Sequence, residues 1–337
     1  MQPDLPARSR RHKDDHQQWS EAEPLVCSSQ GARAPAGQAR EILDGLASPV
    51  ARVSPKYFYD RLGSTLFDAI TALPEYYLTR TELGLLRRHA IEIRVNAGRV
   101  LPIIDLGAGN CTKAPLLFSA MATRRYVAID ISGEYLQDAL NRLRHRWPEI
   151  EISAVTGDFL RELGQGVLLP RPAMFCFFGS SIGNFARNEA ISLLSRVALL
   201  CGTGGGLLIG IDLLKDRSEL ESAYNDALGV TAAFNLNILN NLNRLAGTNF
   251  SVADWRHVAD FDAQRSCISM YLEARRDLVL LWPGGRREFV RGERMHTEDS
   301  YKHTLPAFQD LLLRSGFAST HAWLDDKKRF ALVYARP

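Results

Sequence analysis

The residues best placed to do chemistry stand at the ends of apolar runs. Ile103 to Lys113 reads IIDLGAGNCTK, an apolar stretch closed by Asp105 and followed at once by Gly107 and Gly109. Two glycines one residue apart let a backbone turn sharply and approach a ligand closely. Asp130 closes the next such run, YVAID, and follows Gly107 by 23 residues, where an acid can accept from ribose hydroxyls. Asp158 and Phe159 end a third, EISAVTGDF, and offer a planar ring one acceptor and one apolar face. A fourth, AMFCFFGSSIGNF, turns abruptly small and polar from Gly179 to Asn184.

These ends must be held side by side, and a parallel sheet with crossover helices does that. The apolar spacing predicts helices from Lys113 to Met121, from a Ser132 cap through Leu136, Leu140 and Leu143 to the stop at Pro148, and from Asn188 to Cys201. A fifth buried strand runs from Gly205 to Leu214. Five strands alternating with helices make an α/β doubly wound sheet, whose ligands sit beyond the carboxyl ends of the strands. From Lys215 to about Ser300 the rhythm breaks into an Asn-rich helical segment and strand-like runs at Ile268–Leu272, Leu278–Trp282 and Arg287–Val290, read as a second domain or large insertion. Leu305 to Arg314 is a helix closed by Gly316, and two strands around the Asp325–Arg329 turn return the chain to the first sheet. Upstream, Ser54 begins an aromatic-rich stretch with Tyr57, Tyr59, Tyr76 and Tyr77, and Thr79 with Glu82 forms a capping-box pattern that opens a helix. Residues 1–45 carry few large apolar groups and are expected to form a disordered tail.

Composition excludes several classes. In 337 residues, 41 basic against 38 acidic groups leave a net charge of +3, too little to argue for a nucleic-acid or membrane partner, so a small-molecule substrate is expected. Five widely spaced cysteines suit reduced thiols, and no signal segment or membrane span is evident, so residence in the cytoplasm is expected. The eight histidines form no HExxH and no Cys pairing, so no metal site is expected, and Ser180–Ser181 lacks the glycines of a nucleophile elbow. The loop GAGNCT lacks the third glycine of a dinucleotide fingerprint. Its Asp-Leu-Gly-Ala-Gly instead resembles the DxGxG loop of S-adenosylmethionine methyltransferases, with another nucleotide on a Rossmann-like domain left as the alternative. FFGSSIGN is unlike the acceptor motif of the DNA and RNA amino-methylases.

SPKYFYDRLGSTLFDAITALPEYYLTR, FFGSSIGNF, IDLLKD, AYNDALGVTAAFNLNIL and TEDSYK together resemble the histidine-specific methyltransferases of ergothioneine biosynthesis, from about Ser54 to the C-terminus. The resemblance implies a Rossmann-like class I methyltransferase domain of mixed, mostly parallel sheet (residues 81–214 and 301–337) and a second α+β substrate-binding domain (46–80 and 215–300). It implies S-adenosyl-L-methionine as cofactor, L-histidine as substrate and hercynine as product; a monomer is expected. Carried over, Asn184 and Tyr224 hold the substrate carboxylate, Glu298 and Ser300 the imidazole nitrogens, and Met270 packs beside the ring. Tyr59, Phe67 and Tyr76 surround the amine, Tyr59 and Tyr76 in the catalytic role, with Gly179 nearby. Lys113 joins Asp105, Gly107, Gly109, Asp130, Asp158 and Phe159 around the cofactor. The same fold acting on tyrosine or tryptophan, or a non-catalytic histidine or cofactor sensor, are the rival readings. Where the family pattern has an acid before the pocket methionine this chain has Ser269, and Ser181 stands where Thr is common.

Overall fold

The computed structural model describes residues 36–163 and 169–337. Helices α1 (Ala36–Ala47), α2 (Arg61–Thr71) and α3 (Tyr77–Ala97) precede the β/α series β1 (Ile103–Leu106), α4 (Pro115–Met121), β2 (Arg125–Asp130), α5 (Gly133–Arg146), β3 (Glu151–Thr156), α6 (Phe159–Glu162), β4 (Met174–Phe177), α7 (Arg187–Cys201) and β5 (Gly206–Asp212). There follow α8 (Arg217–Tyr224), α9 (Val230–Ala246), β6 (Trp255–Asp262), β7 (Cys267–Ala274), β8 (Leu278–Trp282), β9 (Gly285–Phe289) and β10 (Arg294–Tyr301), then α10 (Leu305–Arg314), β11 (Ser319–Leu324) and β12 (Phe330–Arg336). Among the described residues no helix is long and apolar enough to cross a membrane.

Seven strands form the main sheet in the order β11-β12-β5-β4-β1-β2-β3. Strands β1 to β5 run parallel, and β12 is antiparallel to both neighbours, so the sheet is mixed and mostly parallel, as the sequence leads one to expect. The order reverses between β1 and β4, and the crevice outside their carboxyl ends is the switch point where such sheets bind ligands. Alternation along β1 sends Ile103 to the core on the α3–α4–α5 side and Ile104 and Leu106 to the core under α7 and α10. Asp105 therefore shares the face of Ile103.

A three-stranded antiparallel sheet, β10-β7-β6, and the hairpin β8–β9 supply the strands of the inserted part, beside α8 and α9. The periodicity missed β6 and β10, because they are the two outer strands and carry polar residues such as Asp260, Asp262, Arg294 and Asp299. Helix α9 buries Phe234, Ile238, Leu239 and Leu242 in a core that also takes Phe58, Trp255 and Leu272.

Several expectations need correction. The tail does not run to residue 45, since α1 starts at Ala36 and buries Ile42 and Leu46; residues 1–35 of that tail lie outside the described residues. Helix α3 begins at Tyr77, one turn before Thr79 and Glu82 could cap it, so those two are interior positions and the division at residues 80/81 falls inside a helix. Strand β5 stops at Asp212 and α4 starts at Pro115, both shorter than the apolar pattern suggested. Ser132 does occupy the N-cap of α5, yet its hydroxyl donates to Tyr59 O at 2.6 Å and meets Ser64 Oγ at 3.0 Å. It ties the start of α2 to the sheet rather than closing its own helix.

Candidate active site

At the mouth of β1, Gly107 has φ +67° and Gly109 φ +54°, and the space a Cβ would take at either is open. That bare backbone is a cradle into which a ligand can descend. Asp130, at the end of β2, accepts from Gly109 N (2.8 Å) and Ser132 N (2.8 Å), which fixes the loop and leaves lone pairs for hydroxyl donors. Burial raises its pKa, and those backbone bonds oppose the shift. A cleft of about 750 Å³ opens beside it, bordered by Tyr59, Thr65, Ile131, Ser132 and Tyr135.

Asp105 lies under the loop, almost wholly buried, and accepts from Tyr126 Oη at 2.8 Å. Burial lifts its carboxyl to about 7, against the pull of Tyr126 and Lys113. At the end of β3, Asp158 caps α6 through Leu160 N (3.0 Å) and pairs with Lys56 Nζ (3.4 Å), which also meets Glu41 of α1 at 2.8 Å. Phe159 turns its ring edge to Phe177 and Phe185.

The β4 end is held by a residue the sequence reading took for a cap. Glu82, with no exposed surface, accepts Gly179 N through both oxygens (3.0 and 2.9 Å) and pairs with Lys113 Nζ at 2.8 Å. One carboxylate thus joins Lys113, beside the β1 loop, to Gly179 at the end of β4. Gly179 has φ +77°, and a Cβ there would come within 3.2 Å of Lys113 Nζ. The turn then closes over Ser181–Asn184, where Gly183 approaches Tyr301 O so closely that a Cβ would stand 2.9 Å from it. This contact brings Asn184 to the strand that carries Ser300.

Across the crevice stand the aromatic residues. Tyr59 meets Phe67 edge-on (5.8 Å between centroids), Phe67 meets Tyr76 (6.1 Å), and Tyr76 meets Tyr224 (6.5 Å). Phe234 of α9, not foreseen, packs on both Tyr59 and Phe67. Burial, then the charges of Glu298 and Asp130, push the Tyr59 phenol well above its usual range; burial and the neighbouring Tyr224 do the same to Tyr76. Both hold their protons at neutral pH.

Met270 on β7 pairs in register with Glu298 on β10, and both are buried. Burial raises Glu298 to about 7, with Lys302 opposing, and among the described residues its carboxylate has no hydrogen-bond partner. Ser300, two residues on and so on the same face, lies 2.8 Å from Tyr224 Oη. Neighbours on the strands point the other way: Ser269 donates to Asp299 Oδ1 at 2.5 Å, so the departure at Ser269 faces away from the Met270–Glu298 pocket. His257 sits behind Tyr224, its Nε2 2.9 Å from Tyr224 O and its Nδ1 2.8 Å from Asn235 Nδ2. Because Asn235 Nδ2 donates also to Tyr271 O, the ring accepts at Nδ1 and donates at Nε2, and burial keeps it neutral.

The fold therefore gathers two groups drawn from distant stretches: Gly107, Gly109, Lys113, Asp130 and Gly179 at the strand ends, and Tyr59, Phe67, Tyr76, Tyr224, Met270, Glu298 and Ser300 opposite them. Glu82, Phe234, Lys302 and Asp212 were missed. For Glu82 the local pattern pointed elsewhere, and for Lys302, inside TEDSYK, nothing local distinguishes a buried lysine from a solvated one.

A family model described as histidine-specific methyltransferase, SAM-dependent, matches residues 38–337. The histidine N-alpha-methyltransferase of Mycolicibacterium smegmatis is 37% identical over 302 residues, 88% of this chain and 94% of that protein. That of Mycobacterium tuberculosis is 35% identical over 304 residues, with the same two shares of 88% and 94%. Ergothioneine biosynthesis protein 1 of Neurospora crassa is 30% identical over 278 residues, 79% of this chain and 31% of that longer protein.

Proposed function

The chain belongs to the histidine-specific, S-adenosylmethionine-dependent methyltransferase family, and from that premise we propose that it methylates the α-amino nitrogen of L-histidine three times to give hercynine, a step of ergothioneine biosynthesis. The observation that carries the choice of substrate is Glu298, a buried carboxylate without a hydrogen-bond partner among the described residues, beside Met270 and two residues from the Ser300 hydroxyl. An acceptor and a donor side by side match the N–H and the bare nitrogen of one imidazole. An indole, which has the N–H alone, would leave the Ser300 donor unpaired, at a cost of about 1–3 kcal/mol, and a phenol would have to meet both groups through one oxygen rather than two ring nitrogens.

The open glycine backbone at Gly107 and Gly109 fits S-adenosylmethionine, with Asp130 toward the ribose, Asp158 and Phe159 toward the adenine, and Lys113 and Asp105 toward the amino-acid end. When bound, the cofactor supplies an electrophilic sulfonium methyl. The protein's own work is positioning. Asn184 and Tyr224 hold the substrate carboxylate, Glu298 and Ser300 the ring, and Met270 its face. Tyr59, Phe67 and Tyr76 then keep a desolvated amine in line, with Gly179 close by. Because both phenols stay protonated, they serve as neutral hydrogen-bond partners through which, or through water, the amine proton leaves. Their faces also suit the quaternary ammonium of the finished product. The free thiols of Cys111, Cys176, Cys201 and Cys267 suit the reducing cytoplasm.

Incubation with S-adenosylmethionine and each amino acid, followed by product mass, tests this. Three successive methyl additions to histidine are expected; turnover of tyrosine or tryptophan instead, or binding of histidine without turnover, would overturn it.

A further inference from the structure

One wall of the substrate pocket contains a wholly buried ammonium. Lys302 Nζ lies 2.9 Å from Tyr224 Oη, 2.8 Å from Ser300 Oγ and 3.0 Å from Asp212 Oδ2. An ammonium has three N–H donors and no acceptor, so each donor is used and each hydroxyl oxygen accepts one. The two hydroxyls are themselves 2.8 Å apart, and one of their two hydrogens is spent between them. The other has no protein acceptor among the described residues, although Tyr224 is only 7% and Ser300 only 3% exposed.

Resting on the histidine reading above, we propose that Lys302 is a positioning residue that holds both hydroxyls as hydrogen-bond donors toward the bound amino acid. Since each oxygen already accepts from Lys302, its own hydrogen points away from the ammonium and can turn to a ligand: Ser300 to the bare imidazole nitrogen, Tyr224 to the carboxylate. Binding exchanges the single Tyr224–Ser300 bond for two bonds to substrate, and neither oxygen is left unsatisfied. Without the ammonium, a buried oxygen that donates to the ligand accepts nothing itself unless the other hydroxyl turns to it, and that turn withdraws one donor from the ligand. Asp212, accepting also from Tyr77 Oη (2.8 and 2.9 Å) and Lys215 Nζ (2.6 Å), anchors Lys302 from the end of β5. Those same contacts keep Asp212 paired if Lys302 is replaced, so the fold has a route to survive the change. Tyr224 and Asp212 outweigh burial and hold the lysine charged.

The test uses the full chain with Lys302→Met and Lys302→Gln, measuring histidine affinity by calorimetry with S-adenosylhomocysteine present, S-adenosylhomocysteine affinity alone, and kcat and KM. Histidine Kd and KM should rise tenfold or more in Lys302→Met, with S-adenosylhomocysteine affinity within twofold. In a Ser300→Ala, Tyr224→Phe background the same lysine change should cost threefold or less, because the groups it acts through are gone. An unchanged histidine Kd, an equal loss in both backgrounds, or an equal loss of S-adenosylhomocysteine would overturn the inference. Should neither lysine variant fold, Ser300→Ala, Tyr224→Phe and their double decide it with Lys302 in place. Independent donors predict that the two factors multiply; a double no weaker than the worse single would overturn the inference. Wild-type turnover of histidine beside a silent Lys302 variant removes this inference alone, whereas a wild type that binds no histidine removes the reading beneath it.

Discussion

On the function proposed above, Glu298 carries both the specificity of the pocket and a cost to the fold. Its carboxyl keeps a proton up to about pH 7 when folded, against an ordinary value of 4.5, because burial disfavours the charge. The native state thus binds more protons than the unfolded chain between those two values, and stability falls as pH rises through that window. Above pH 7 the whole penalty is present, at most about 3 kcal/mol for a shift of this size. Glu298→Gln is therefore expected to melt higher than wild type at pH 8 and no higher at pH 4, by thermal unfolding at the two pH values. The same variant should bind histidine at least tenfold more weakly at pH 8 while S-adenosylhomocysteine binding survives; equal loss of both ligands would mean that Glu298 does not face the substrate. Wild-type histidine affinity should fall more steeply below pH 7 than that of Glu298→Gln, because the ligand's own imidazole titrates in both cases and only the wild type adds the protonation of Glu298.

At the scale of elements, α3 links the two halves of the site. Its Glu82 clamps Gly179 and Lys113, and Gly210 on β5 gives it room, since a Cβ there would fall 1.8 Å from Glu82 Oε1. Glu82→Ala removes one member of a buried pair and leaves Lys113 and Gly179 N without it, so a loss of roughly 3 kcal/mol or more is expected. Gly210→Ala should copy that phenotype by displacing the carboxylate, and in both variants calorimetry should show weaker binding of cofactor and histidine together. A Gly210→Ala protein with wild-type affinities would show that the clamp is dispensable. Helix α1 makes a simpler prediction. Ile42 is 1% exposed, so Ile42→Ala should cost about 2–5 kcal/mol in denaturant unfolding, whereas a solvated tail residue would cost nothing measurable. The helix had been unreadable because its sequence, AGQAREILDGLA, offers few apolar positions, and what orders it is the core shared with α9 rather than its own periodicity.

For the whole molecule, the sequence alone determined the sheet and the kind of ligand. An acid or a glycine pair at the end of each apolar run is a local signal, and right-handed crossovers leave little choice in how such runs assemble, so Gly107, Gly109 and Asp130 could be placed at one crevice before any coordinates. The aromatic and polar residues proposed for the acceptor pocket could be named only through the long blocks shared with the histidine-specific family, because Tyr59, Tyr224 and Glu298 lie far apart along the chain and no spacing rule joins them. Tertiary structure decided the rest: that Glu82 serves as a clamp rather than a cap, that Phe234 completes the aromatic wall, that Ser269 faces away from the pocket, and that Lys302 lies buried against Tyr224, Ser300 and Asp212. The physical reason is common to all four. Burial and hydrogen-bond partnership depend on what the fold brings from elsewhere, and a charged residue's neighbours in sequence carry no record of them.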